Sequence, residues 1–151
     1  MPAGVDSIRE CLEGAVPAIV ATCDPAGTPK ASSASQFHYV DGEHVALSYQ
    51  FFNKTQQNIL ANPRATAVVI DPFTVARYVL DLAYLRTETS GPLFESMKAK
   101  LAGIASHTGM SGVFKLQGAD IYRVLEIRQV EATQQLPRPP ARNLLAAVRA
   151  A

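Results

Sequence analysis

Hydroxyl, amide and lysine side chains gather in one short stretch, residues 45–64, VALSYQFFNKTQQNILANPR. The apolar run Val45-Ala46-Leu47 gives way to Ser48, Tyr49, Gln50 and Asn53. A single cation, Lys54, follows, and Thr55 opens a helical pattern that ends at Asn62-Pro63. A strand that delivers such groups to a helix N-terminus suits a phosphate. First-turn N–H groups and the helix dipole favour an anion there, and the lysine adds a full charge. The plain alternative is a strand, turn and helix with a solvated lysine. The stretch is no P-loop, and it lacks the glycines of a dinucleotide fingerprint.

Other residues with chemical potential are scattered. Of the three histidines, His38 reads as a strand residue at a polar barrel mouth, with a ligand contact or proton donation as its functional alternative. His44 follows the turn Asp41-Gly42 and is expected at the surface. His107 falls near a helix end, where a cation suits the dipole. Together they lack the spacing of a zinc site. Ser32, Ser33 and Ser35 are not framed by a nucleophile elbow. Asp81, Glu88 and Glu95 form no carboxylate pair, and Arg77, Arg86 and Arg123 are expected to be solvated.

At 151 residues the chain suits one domain with a single core. A net charge of +1 supplies no basic excess for nucleic acid and no acidic tract for disorder. Cys11 and Cys23 lack CxxC spacing and read as buried thiols in a reducing compartment, with a disulfide as the alternative. No apolar run reaches membrane-spanning length and no signal pattern opens the chain, so a cytoplasmic location is expected.

The elements that must position the central stretch follow from turn signals and periodicity. Residues 1–15 form a leading helix, with Ser7 and Glu10 at capping-box spacing. Residues 18–23 read as a buried strand closed by a turn at Asp24-Pro25-Ala26-Gly27. Residues 30–39 form a second strand, joined through Asp41-Gly42 to a third at 44–49; that dipeptide is a strong hairpin signal. Strands at 65–71 and 75–87 come next, the latter bent. Ser90-Gly91-Pro92 then starts a helix whose stripe is Leu93, Met97, Leu101 and Ile104. Gly109 and Gly112 mark its exit, and 113–116 with 119–130 give one last strand or hairpin. Pro137, Pro139 and Pro140 make 132–151 a stiff tail or linker. Many strands, short turns and few helices argue for a mainly β fold, a small antiparallel barrel with packed helices.

In that order the chain resembles the FMN-binding split barrels of the pyridoxamine 5'-phosphate oxidase-like superfamily, over residues 16–131. The resemblance rests on Tyr39 to Tyr49, on Asn53-Lys54-Thr55, on Ile59-Leu60-Ala61-Asn62-Pro63-Arg64, and on Gly91 to Lys98. It is closest to barrels that lead longer bacterial proteins with a downstream GAF-type domain. It implies a six- to seven-stranded antiparallel split barrel that forms a homodimer with FMN at the interface. Ser33, Ser35 and Gln36 would meet the ring edge and ribityl chain, together with Ser48 and Tyr49. Asn53, Lys54 and Thr55 would take the phosphate, Thr55 standing where the family commonly has a second basic residue. Arg77 and Arg123 are further candidates for reaching a flavin across the interface. The vitamin B6 oxidases' substrate-binding lysine, tyrosine and arginine fall near His38, Ala99 and Gly103, and their Arg-x-His motif has no counterpart after Tyr122-Arg123. The implied function is an FMN-dependent oxidoreductase of unknown substrate, not a pyridoxamine phosphate oxidase. The alternative is a sensory or regulatory module that binds a flavin, F420 or haem; no nucleic acid or membrane partner is implied.

Overall fold

The chain forms β1 Ala18–Cys23, β2 Pro29–Ala34, β3 Phe37–Tyr39, β4 His44–Tyr49, β5 Arg64–Ile70, β6 Arg77–Glu88 and β7 Gly118–Val130. A 3-10 turn, Val5–Ile8, runs into α1 Arg9–Leu12, and the longer helices are α2 Lys54–Ala61 and α3 Pro92–His107. These come from a computed structural model that describes residues 4–12, 16–34, 37–49, 54–107 and 116–130, with backbone alone at 49 and 104–107. The strands pair in the order β2-β1-β5-β6-β7-β4-β3. All six pairings are antiparallel. The sheet curls into a half-barrel, and the expected mainly β, antiparallel split barrel is the fold observed.

Alternation along the strands divides the apolar side chains between two cores. Val20, Phe37, Val45, Ala67, Leu80, Leu82 and Tyr122 fill the concave side, where Ile8, Leu12 and Ile59 of the helical segments join them. On the opposite side of β4 and β7, Ala46, Ala119 and Ile121 pack with Met97 of α3. β7 is therefore buried on both faces from Gly118 to Tyr122 and mostly exposed beyond. The expected helical stripe holds at Leu93, Met97 and Leu101; the side chain of Ile104 lies outside the described residues. Gly91, at φ +100°, adopts a backbone that favours glycine just before the α3 start.

Several expectations change in detail. The single strand over 30–39 is two strands, because β2 pairs only with β1 and β3 only with β4. The capping box is not formed: the Ser7 hydroxyl donates backwards to the Gly4 carbonyl, at 2.7 Å. From the leading segment, Val5, Ile8, Cys11 and Leu12 lie in the barrel core. Burial pushes the Cys11 thiol up to about 11, while Cys23 is half-buried, and neither is in a disulfide. The bend expected in the fifth strand appears as register shifts at Asp81/Leu82 and Tyr84/Arg86 of β6. Gly109, Gly112 and the tail 132–151 lie outside the described residues. Among the described residues no helix is long and apolar enough to cross a membrane.

The β5–β6 turn carries local strain. The Asp71 carboxylate accepts the N–H groups of Phe73 and Thr74, at 2.8 and 3.0 Å. The Val75 N–H donates to the Asp71 carbonyl at 2.9 Å. That closure puts Val75, a β-branched residue, at φ 63°, a conformation that costs an ordinary residue about 1–2 kcal/mol. Asparagine tolerates it. Val75→Asn is expected to raise the urea midpoint of unfolding, by about 1 kcal/mol of stability. A lowered midpoint would show that the strain is not relieved there.

Candidate functional site

Lys54 begins α2 with its side chain exposed, and polar contacts anchor the helix behind it. Thr55 and Asn58 lie three residues apart and so share a helix face. The Thr55 hydroxyl is 3.0 Å from that of Ser32 on β2, and Asn58 Nδ2 donates to Thr22 Oγ1 on β1 at 3.1 Å. Ile59 completes the buried face. Asn58 Oδ1 is buried without a hydrogen-bond partner.

The β1–β2 turn stands close to this helix start. Asp24 accepts N–H groups from Thr28 at 2.9 Å and Ala26 at 3.0 Å, and Gly27 takes the required positive φ of +87°. The Thr28 N–H, with that of Ala26 and the Lys54 charge, holds the Asp24 carboxyl below its ordinary value. A phosphate-bearing ligand fits the donor set at this helix start. The exposed ammonium, the first-turn N–H groups and the dipole all favour an anion. Thr55 brings less than its residue type suggested, because its hydroxyl is buried and engaged with Ser32.

The remaining expected ligands are distributed. Ser33 lies on the convex side of β2, in a row with Ile19, Val68, Val79 and Arg128 across four more strands. Ile19 is well exposed, so this row presents apolar surface to solvent. Ser48 is half-buried opposite Ala119, and Tyr49 stands opposite Gly118 at the end of β4, with four residues of chain between it and α2. Ser35, Gln36 and Asn53 lie outside the described residues, as does the side chain of Tyr49.

His38 departs from expectation. It is 1% exposed and shares its strand face with Ala46 and Ile121, its register neighbours on the α3 side of the sheet. It is buried, not at a polar barrel mouth. His44 is half-buried, with Nδ1 2.8 Å from Asp41. Arg86 is exposed but paired with Glu88, at 3.1 Å; Arg77 and Arg123 are exposed. Among the described residues no three His, Cys, Asp or Glu side chains gather as a metal site.

Two features escaped the reading of the sequence. β1 and β5 pair only from Ile19 to Ala21; beyond that they border a cavity of about 330 Å³ lined by Thr22, Cys23, Asn62, Arg64, Thr66 and Asp81, among others. The other is a buried polar group of Tyr84, Thr87, Asp120 and Tyr122. The available signal was Asp120 itself, an acid set between alanine and isoleucine in an apolar strand.

With this geometry described, similarities to known proteins can be placed. The sequence profile of pyridoxamine 5'-phosphate oxidase matches residues 5–136. No curated protein sequence matches the chain. Among solved structures, an FMN-binding protein from Syntrophomonas wolfei aligns at 12% identity and TM-score 0.72, over 85% of this chain and 87% of that one. An F420 reductase aligns at 18% identity and TM-score 0.59, over 80% and 94%. HutZ, the haem storage protein of Vibrio cholerae, aligns at 19% identity and TM-score 0.56, over 85% and 94%. At these identities the likeness is one of fold.

The polar docking of α2 has a measurable consequence. Thr22→Val removes the partner of a buried amide and is expected to cost about 1–3 kcal/mol. Adding Asn58→Leu removes the stranded group and should recover most of that loss, read as paired urea unfolding curves. Additive losses in the double variant would mean that the two side chains are not coupled.

Proposed function

The chain belongs to the pyridoxamine 5'-phosphate oxidase family, and we propose that it is an FMN-binding flavoprotein acting as an oxidoreductase on a substrate other than pyridoxamine phosphate. The observation that carries this reading is Lys54, exposed at the first turn of a helix whose opposite face is anchored to β1 and β2. A charged donor on a fixed helix start can hold a phosphate without first losing the entropy of an unanchored segment.

In this reading Asn53, Lys54 and Thr55 hold the FMN phosphate. The Lys54 ammonium supplies the charge-assisted contact, and Thr55 contributes its backbone N–H. Ser33, Ser35, Gln36, Ser48 and Tyr49 orient the ring edge and ribityl chain. Bound FMN supplies two-electron transfer chemistry, and the protein supplies position and exclusion of water. The convex row of exposed Ile19 and half-buried Val68 and Val79 supports a homodimer that completes the site, with Arg77 and Arg123 reaching across. A cytoplasmic location belongs to the same proposal.

The positions at which vitamin B6 oxidases hold a phosphorylated substrate argue against that activity here. They carry Ala99, Gly103 and a buried His38, and losing such cations removes more binding than uncharged contacts restore. The same loss favours, as a second reading, a sensory or regulatory module that binds a flavin, F420 or haem. Turnover with an electron donor and acceptor separates the enzyme from the sensor.

Titration with FMN, followed by flavin fluorescence, is expected to give saturable binding. Lys54→Ala should weaken it about tenfold or more, because a charge-assisted hydrogen bond is worth roughly 1.5–3 kcal/mol. Binding that ignores Lys54 would remove the assigned phosphate site.

A further inference from the structure

The group at Tyr84, Thr87 and Asp120 depends on a bulge. In a regular strand residues three apart face opposite sides. The register here runs Tyr84–Tyr122, Arg86–Ile121, Thr87–Asp120, which leaves Leu85 as an extra residue on β6. Leu85 is exposed. The extra residue turns Tyr84 and Thr87 to the same side of β6, opposite Tyr122 and Asp120 on β7. Bulges that re-aim side chains in this way are over-represented beside functional sites.

The hydrogen bonds within the group have a direction. The Thr87 hydroxyl donates to Asp120 Oδ1 at 2.6 Å, and the Tyr84 and Thr87 hydroxyls are 2.6 Å apart. Thr87 has one hydroxyl proton and spends it on the carboxylate, so Tyr84 must donate to Thr87. Asp120 is 4% exposed, whereas Tyr84 is half-buried. The chain of donors therefore runs from two half-buried residues, Tyr84 and Thr87, to a carboxylate that is almost fully buried.

We propose that Tyr84 and Thr87 form a hydroxyl relay that carries protons between solvent and Asp120, which serves as an internal proton-binding site of the barrel. When one proton enters from solvent at Tyr84, the phenol passes its own proton to Thr87, and Thr87 passes its own to Asp120. The carboxylate becomes a carboxylic acid, both hydroxyls end with one proton each, and no electrons move. The hydrogen bonds then point the other way, from Asp120 through Thr87 to Tyr84. Asp120 stands opposite Leu47 of β4, one register row from Ser48, so the charge it gains or loses lies beside the strand that leads towards α2.

The surroundings of Asp120 suit proton uptake. Burial raises its carboxyl above the ordinary value, against the lowering effect of the Thr87 hydrogen bond. The titratable groups nearest to it in register on its side of the sheet are the Tyr84 phenol and the Tyr122 phenol, the latter pushed far up by burial. Leu47 and Phe37 are apolar neighbours in the same register row. Arg86, bound to Glu88, and His38 lie on the register row of Ala46 and Ile121, which faces the other side. Further along the concave side, the Tyr39 hydroxyl donates to Asp6 and Arg9 covers the Tyr39 ring.

The test is a carboxyl-carbon NMR titration of the whole chain. Asp120 is expected to titrate above the ordinary aspartate value of about 3.9. Thr87→Val should move the midpoint further up, because it removes the donor that favours the charged form, and Thr87→Ser should restore it. Tyr84→Phe should slow proton exchange at Asp120 several-fold, read from line shapes across the titration. A raised folded-state value also means stability that is full at low pH and is lost as pH rises through that value. The melting temperature of wild type should therefore fall relative to Asp120→Asn over that range. A midpoint at or below the ordinary value, or unchanged exchange in Tyr84→Phe, would overturn the relay. Neither readout depends on FMN.

Discussion

Only residues 35 and 36 separate β2 from β3, yet these strands lie at opposite ends of the sheet order. Six strand spacings of about 4.8 Å would hold them about 29 Å apart in a flat sheet. Three peptide units span at most about 11 Å. The sheet must therefore curl until its two edges nearly meet, and the concave core is what fills the space so made. Closure also explains why the segment 29–39 divides. Residues 29–34 pair with β1 and residues 37–39 with β4, and the change of partner falls between them.

Within that frame, polar side chains on the concave side are used to place things. Ser32 and Thr22 face inward, where apolar residues would serve stability as well, and both contact α2. A hydrophobic seat would bury the helix without specifying its axial position, whereas paired hydroxyl and amide groups lose their bonds when it slides. The helix start that carries Lys54 is thereby held against the β1–β2 wall. The bulge at Leu85 works by the same logic from the other direction. It spends a regular pairing in order to aim Tyr84 and Thr87 at β7. Buried polar groups are costly when incompletely bonded, so their concentration at two places in a small barrel points to positions with work to do.

Membership of the family accounts for the barrel and leaves the chemistry open, because one fold hosts many sites. Solved relatives whose names mention FMN, F420 and haem storage share this architecture at 12–19% identity. The features of this chain that bear on chemistry are local: Lys54 at a helix start, a buried histidine, and an acid inside the barrel wall.

Much of the fold was legible in the sequence because it rests on local rules. Turns at Asp24-Pro25-Ala26-Gly27 and Asp41-Gly42, the proline start of α3 and the apolar run of β5 are each dictated by neighbours a few residues away. Lys54 at a helix start was legible for the same reason. What the sequence could not reveal required knowing which strands become neighbours. Thr55 reads as a free hydroxyl until Ser32 is brought beside it, and His38 reads as a polar strand residue until pairing puts it in the buried row of Ala46 and Ile121. Tyr84 and Thr87 sit at a spacing that alternation assigns to opposite sides, and only pairing with β7 puts them together. Composition and periodicity determined the kind of elements. Closure of the sheet decided which polar side chains met, since side-chain partners across strands depend on register, and register is a property of the assembled sheet.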